Sequence, residues 1–162
     1  MTGVRSQEQV IGDREQVTGA RYRWQARFDL SRINGNLINM ATISSHRDLI
    51  VWQKAMDLAV QIYRLASRFP AEEMYRLTAQ ITRAVASVPA NVAEGNARGS
   101  RKDYANFLAI AKGSLMETET FLMLAIRLAY LTKEEAEPSL SLITEISKML
   151  TALRKRLLEE PS

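Results

Sequence analysis

The chain has few residues with which to do chemistry. It has no cysteine and one histidine, His46. A di-metal carboxylate centre in a helical protein needs a Glu from each of two helices and a Glu-x-x-His from each of two others. One histidine cannot supply that set. Nucleophilic catalysis also lacks its parts: there is no thiol, no Gly-x-Ser-x-Gly turn, and no histidine placed to activate a serine in the second half of the chain. No Walker-type phosphate loop is present. Glu117 and Glu119 stand two apart, on different faces of one helix, and form no acid/base pair. The residues therefore read as a non-enzyme with no cofactor and no metal ligand, and His46 as a surface or capping residue.

Two groups of polar residues remain. Ser87, Asn91 and Glu94 are spaced four and three apart, followed by Gly95, so they line one helix face beside an apolar seam. A buried polar group without a partner costs about 1–3 kcal/mol. The first reading is thus a hydrogen-bonded knot that takes up carbonyls freed by Pro89 and locks the corner between two helices. The rival reading is a ligand or nucleic-acid contact. The second group is basic: Arg98, Arg101 and Lys102 surround a turn, and Arg154, Lys155 and Arg156 close the last helix. Cations suit the negative end of a helix, which accounts for the latter three. Arg101 and Lys102 stand at a helix N-terminus, where cations are disfavoured, and this makes them the candidate nucleic-acid contact.

The bulk properties narrow the class. With 46% hydrophobic and 25% charged residues in a 162-residue chain, one soluble domain plus a tail can bury a core without staples. The absence of cysteine excludes disulfides and suits a cytoplasmic setting. No apolar run approaches the roughly 20 residues that cross a bilayer, and no signal peptide opens the chain. The net charge of +4 permits a nucleic-acid partner without announcing one.

The elements that would hold these residues are helical. Residues 1–45 show no lasting period and read as a disordered or irregular extension. Either Met40 is the natural start, or a genuine arm carries Arg21, Arg23, Arg27 and Arg32 to phosphate. From residue 46 the period is strong. Leu49, Trp52, Met56, Ala59, Tyr63 and Ala66 mark the stripe of a first helix over about 47–68, capped by Ser45 and stopped at Phe69–Pro70. Met74, Leu77, Ile81, Val85, Val88 and Val92 mark a second over about 71–95, kinked near Pro89. Tyr104, Leu108, Ala111, Leu115, Thr118, Leu122, Ile126 and Ala129 mark a third over about 101–130, widened by Phe107, Ile110, Leu124 and Leu128. Leu140, Ile143, Ile146, Leu150, Leu153 and Leu157 mark a fourth over about 133–158, with residues 159–162 as a tail. Short links predict an all-α, up-down-up-down antiparallel four-helix bundle. The breadth of the middle stripes predicts a further face buried against copies of the chain.

The stretch LIVWQKAMDLA (Leu49–Ala59) and the stretch ASVPANVAEGNARGSRKDYANFLAIAKGSLMETET (Ala86–Thr120) resemble the 23S rRNA intervening-sequence protein family. The most specific elements are S-x-P-x-N-x-A-E-G and the downstream F-L-x-I-A-x-G-S-L-x-E, with Val92 where Ile is commoner. The resemblance covers about residues 46–158. It implies a bacterial four-helix bundle assembling as a ring-like homopentamer, with no catalytic activity. It also implies kinship with the accessory variability proteins of diversity-generating retroelements, which bind nucleic acid and a reverse transcriptase. The expected function is an oligomeric scaffold or binding module that contacts RNA or DNA through basic surface, binding that should weaken when Arg98, Arg101 and Lys102 become Glu. The alternative is a protein–protein adaptor with no nucleic-acid role.

Overall fold

The computed structural model describes residues 45–159, and all its regular structure is helical. The expectations for residues 1–44, including the four arginines of the extension, and for 160–162 lie outside the described residues. Four long helices follow one another: α1, Ile50–Ala66; α2, Leu77–Ala97; α3, Arg101–Arg127; and α4, Lys133–Glu159. Each packs on the next and α1 packs on α4, while the Cα atoms of α1 and α3, and of α2 and α4, stay more than 8 Å apart, so the four enclose one core. Leu58 and Ile62 of α1, Ile81, Val85, Val88 and Val92 of α2, Leu108, Leu115 and Leu122 of α3, and Ile143, Ile146 and Leu150 of α4 are all fully buried in it.

Local chemistry sets the ends. Ser45 and Asp48 form a reciprocal capping box, Ser45 Oγ accepting from the Arg47 N–H at 3.2 Å and Asp48 Oδ2 from the Ser45 N–H at 3.1 Å. This box closes a single 3-10 turn, His46–Asp48, and α1 starts only after the extended Leu49. A second 3-10 turn, Ala71–Glu73, stands where the pattern predicts the start of α2. The α-helix is delayed because Arg76 leaves the helical region (φ −115°, ψ −108°), and the Glu73 carboxylate takes the Leu77 N–H at 3.1 Å instead. Met74 is consequently outside the seam and 57% exposed. Helix α2 then runs unbroken through the buried Pro89. Ser100 caps α3, accepting from the Asp103 N–H at 3.0 Å, and Thr132 with Glu135 boxes the start of α4. The Thr132 N–H and the Arg68 guanidinium hold the Glu135 carboxyl below the usual carboxylate range, tying the turn after α1 to α4.

In α1 the inward stripe differs from the expected one. The buried residues are Val51, Ala55, Leu58, Ile62 and Ala66, whereas Met56 and Tyr63 are 41% and 53% exposed. Both sets repeat at three- and four-residue steps, so periodicity alone cannot say which of two adjacent apolar stripes turns inward.

Helix α3 ends at Arg127, three residues before the limit its pattern predicts. The Tyr130 N–H reaches Ala125 O and the Ala129 N–H reaches Ile126 O, both at 3.0 Å, which is a Schellman closure with Ala129 at φ 58°. Alanine is disfavoured there by about 1–2 kcal/mol, part of which glycine gives back through its freer unfolded chain. Ala129→Gly is therefore expected to stabilise the fold by about 0.5–1 kcal/mol in urea unfolding.

Cross-helix bonds give the register. Along α1 and α4, Lys54 meets Glu145 (3.0 Å), Gln61 meets Ser139 (3.0 Å) and Arg68 meets Glu135, so numbers rise on one helix as they fall on the other. Helices α3 and α4 behave alike, with Arg101 at Leu157 O (3.3 Å), Ala105 O at Arg154 (3.3 Å) and Lys112 at Thr151 (2.8 Å).

Candidate nucleic-acid interface

The corner between α2 and α3 is built on a missing side chain. A Cβ at Gly95 would lie 2.7 Å from Phe107 Cβ and 2.7 Å from Tyr104 Cδ2, so the two helices close on each other only because residue 95 has none. Eight residues earlier, the Asn91 amide donates to Ser87 O (2.8 Å) and to Ser87 Oγ (2.9 Å), and Ser114 of α3 donates to Ser87 Oγ at 3.0 Å. This polar knot joins α2 to α3. Two of its details differ from the sequence reading. Glu94 is not part of it and pairs instead with Arg98 one turn on. The carbonyl that Asn91 takes belongs to Ser87, not to Val85, whose helical donor Pro89 lacks. Ser114 is the member that sequence reasoning missed, because nothing in a single serine's spacing on α3 tells which residue of α2 it faces.

Tyr104 fills the space beside Gly95. Its hydroxyl is buried with no hydrogen-bond partner among the described residues, and burial pushes its pKa up to about 12, Asn96 offsetting part of the rise. An unsatisfied buried hydroxyl contributes nothing to stability. Tyr104→Phe is accordingly expected to leave stability unchanged or raise it by up to about 1 kcal/mol, read as the urea midpoint.

The two basic clusters, more than 50 residues apart in sequence, meet at this end of the bundle. Arg101 donates through Nε to Leu157 O (3.3 Å) and through Nη2 to Arg156 O (3.2 Å). It thus supplies donors to terminal carbonyls of α4, which explains a cation at the N-terminus of α3: the negative end of α4 is closer to its charge. Arg154 of α4 reciprocates by donating to Ala105 O in α3. Arg98 pairs with Glu94 and stacks its guanidinium 5.0 Å from the Phe107 ring. Lys102 is exposed, and Lys155 lies only 3.6 Å from an equally exposed Glu159. Residues 94–103 and 152–159 together carry six Lys/Arg against three Asp/Glu. The opposite end is joined by the Phe69–Tyr130 ring contact and the Tyr130–Glu73 bond, and its residues 68–76 and 127–137 carry four Lys/Arg against five Asp/Glu. One end is positive and the other is not.

Among the described residues no group of three His, Cys, Asp or Glu side chains converges to hold a metal ion, and no helix is long and apolar enough to cross a membrane. What the arrangement can do is attract anions: the exposed ammonium groups of Lys102 and Lys155 stand on helix ends beside guanidinium groups held by internal bonds.

The sequence pattern of the family described as "23S rRNA-intervening sequence protein" matches residues 47–152. The chain belongs to this family. A solved structure from Bacteroides thetaiotaomicron VPI-5482, described as a protein of unknown function from the S23 ribosomal protein family, is 36% identical. The match covers 65% of this chain and 99% of that one, with a TM-score of 0.61. No curated protein matches. In this member of the intervening-sequence family, the S-x-P-x-N-x-A-E-G segment supplies the Ser87–Asn91 knot and the Gly95 contact, and its downstream segment supplies Phe107 and Ser114. The most distinctive residues of the sequence thus hold α2 against α3, and the basic residues sit just beyond them.

Proposed function

We propose that this protein is a non-enzymatic, oligomeric helical scaffold whose basic end contacts RNA or DNA. The supporting observation is the Arg101 link, which brings Arg98, Arg101 and Lys102 beside Arg154, Lys155 and Arg156. Arg101 is the positioning residue of that surface, while Lys102 and Lys155 are the exposed groups that meet phosphate. Phosphate binding of this kind releases counterions, so log K falls with log salt by about 0.7 for each phosphate neutralised on a single strand. Fluorescence anisotropy with a labelled single-stranded RNA is expected to show binding at low salt with a slope of about −2 or steeper. Absence of binding at low salt overturns the reading.

The bundle is antiparallel, up-down-up-down, in this reading, supported by the opposed contact register, and it works in the cytoplasm, which a cysteine-free chain suits. Its assembly is a ring-like homo-oligomer, a pentamer by family resemblance. Exposed Met56, Val60 and Tyr63 on α1, with Ile110 and Leu124 on α3 and Leu128 at its C-cap, support a self-association surface. The same apolar residues also suit a protein–protein adaptor. Light scattering separates the cases, because a monomer in solution removes the oligomer, and a pull-down recovering one protein after nuclease treatment favours the adaptor.

A further inference from the structure

The groove between α3 and α4 that opens beside the basic end has a composition of its own. Its volume is about 460 Å³ and its floor is aliphatic, formed by Leu108 and Met116 of α3 with Leu150 and Leu158 of α4. Leu158 is 54% exposed there. Cations stand along it, Lys112, Arg154 and Lys155, against one carboxylate among the described residues, that of Glu159. Lys112 and Arg154 each use one donor internally, on Thr151 Oγ1 and Ala105 O, which leaves further N–H groups of both directed elsewhere.

Gly113 lies on the lip of this groove in the middle of a 27-residue helix. Glycine in a helix interior costs about 1 kcal/mol relative to alanine. At Gly95 the fold explains that cost by contact, but at Gly113 an added Cβ would meet nothing within 4 Å. No contact among the described residues requires a glycine here. What its missing side chain provides is close approach from outside.

We propose that the α3–α4 groove is a docking site for an acidic amphipathic helix of a partner protein. Leucine-like side chains at three- and four-residue steps lie on the aliphatic floor, the partner backbone passes over Gly113, and its flanking carboxylates meet Lys112, Arg154 and Lys155. Charge complementarity selects an acidic helix over a basic one. The all-aliphatic floor favours a helix over a nucleic acid strand, because it offers no ring on which a base could stack.

The test uses the full chain and a fluorescein-labelled synthetic helix with leucines on one face and glutamates beside them. Its controls are a scrambled peptide that breaks the leucine face and a peptide with lysine in place of glutamate. Saturable binding of the acidic helix is expected, weaker by about tenfold or more for each control. Gly113→Leu fills the groove and is expected to weaken binding by at least about tenfold, with a melting temperature at or above that of the parent because the helix loses a glycine. Equal binding of the scrambled peptide, or unchanged binding to Gly113→Leu, overturns the proposal. A single-stranded RNA that displaces the peptide and itself fails to bind Gly113→Leu overturns it in favour of a nucleic-acid groove. A fall in the scattering mass of Gly113→Leu overturns it in favour of an interface between copies.

Discussion

Gly95→Ala is expected to destabilise the protein by about 1–2 kcal/mol, although the same substitution at an exposed helical position stabilises. Two terms oppose each other. Alanine recovers about 1 kcal/mol of helix propensity. Against this, the new Cβ would lie 2.7 Å from Phe107 Cβ and 2.7 Å from Tyr104 Cδ2. Neither atom is the free end of a flexible chain: one is bonded directly to the α3 backbone, and the other belongs to a buried ring. The contact is relieved only by moving α3 from α2, which also stretches the 3.0 Å Ser87–Ser114 bond two turns away. Overpacking that forces the backbone to shift costs about 1–3 kcal/mol, and a contact on a main-chain-bonded atom falls in the upper half of that range. Gly113→Ala is the internal control, since its Cβ meets nothing within 4 Å among the described residues and the propensity gain remains. Chemical denaturation should move the two midpoints in opposite directions. Equal shifts would mean that the helix contact at Gly95 does not govern stability.

The second large effect is on binding. Lys102→Glu with Lys155→Glu is expected to reduce affinity for single-stranded RNA by about 30- to 100-fold at low salt and to flatten the salt dependence by about 0.7 per lost contact. The stability change should stay within about 0.5 kcal/mol, because both side chains are exposed and the Lys155–Glu159 pair is a loose surface contact. Reversing Arg98, Arg101 and Lys102 together, the test the sequence alone suggests, is less clean. Arg101 supplies donors to the carbonyls of Arg156 and Leu157, so Arg101→Glu would place a carboxylate against two acceptors at the negative end of α4. Loss of binding in that variant would mix a lost phosphate contact with a frayed helix.

Much of the bundle could be read from the residue pattern. The apolar seams of α2, α3 and α4 show as three- and four-residue steps, and Ser100 with Asp103 and Thr132 with Glu135 mark the helix starts. What could not be read has physical causes. In α1 two apolar stripes run side by side with the same period, and only packing against α2 and α4 selects Val51, Ala55, Leu58 and Ile62 over Met56 and Tyr63. The end of α3 was hidden because its left-handed residue is Ala129, where a glycine would have marked the turn. The role of Arg101 was hidden for a different reason: its bonding partners lie 55 and 56 residues away, and no local rule couples the start of one helix to the end of another. The candidate site was legible as two separate basic clusters, and their meeting was not.

Amide hydrogen exchange with and without a bound single-stranded RNA tests the basic-end account most directly, because it reports where on the chain the nucleic acid sits. Slower exchange is predicted over residues 98–104 and 152–159, with residues 68–76 and 127–137 unchanged. Protection of the acidic end, or none at either end under conditions where the RNA is bound, would contradict it.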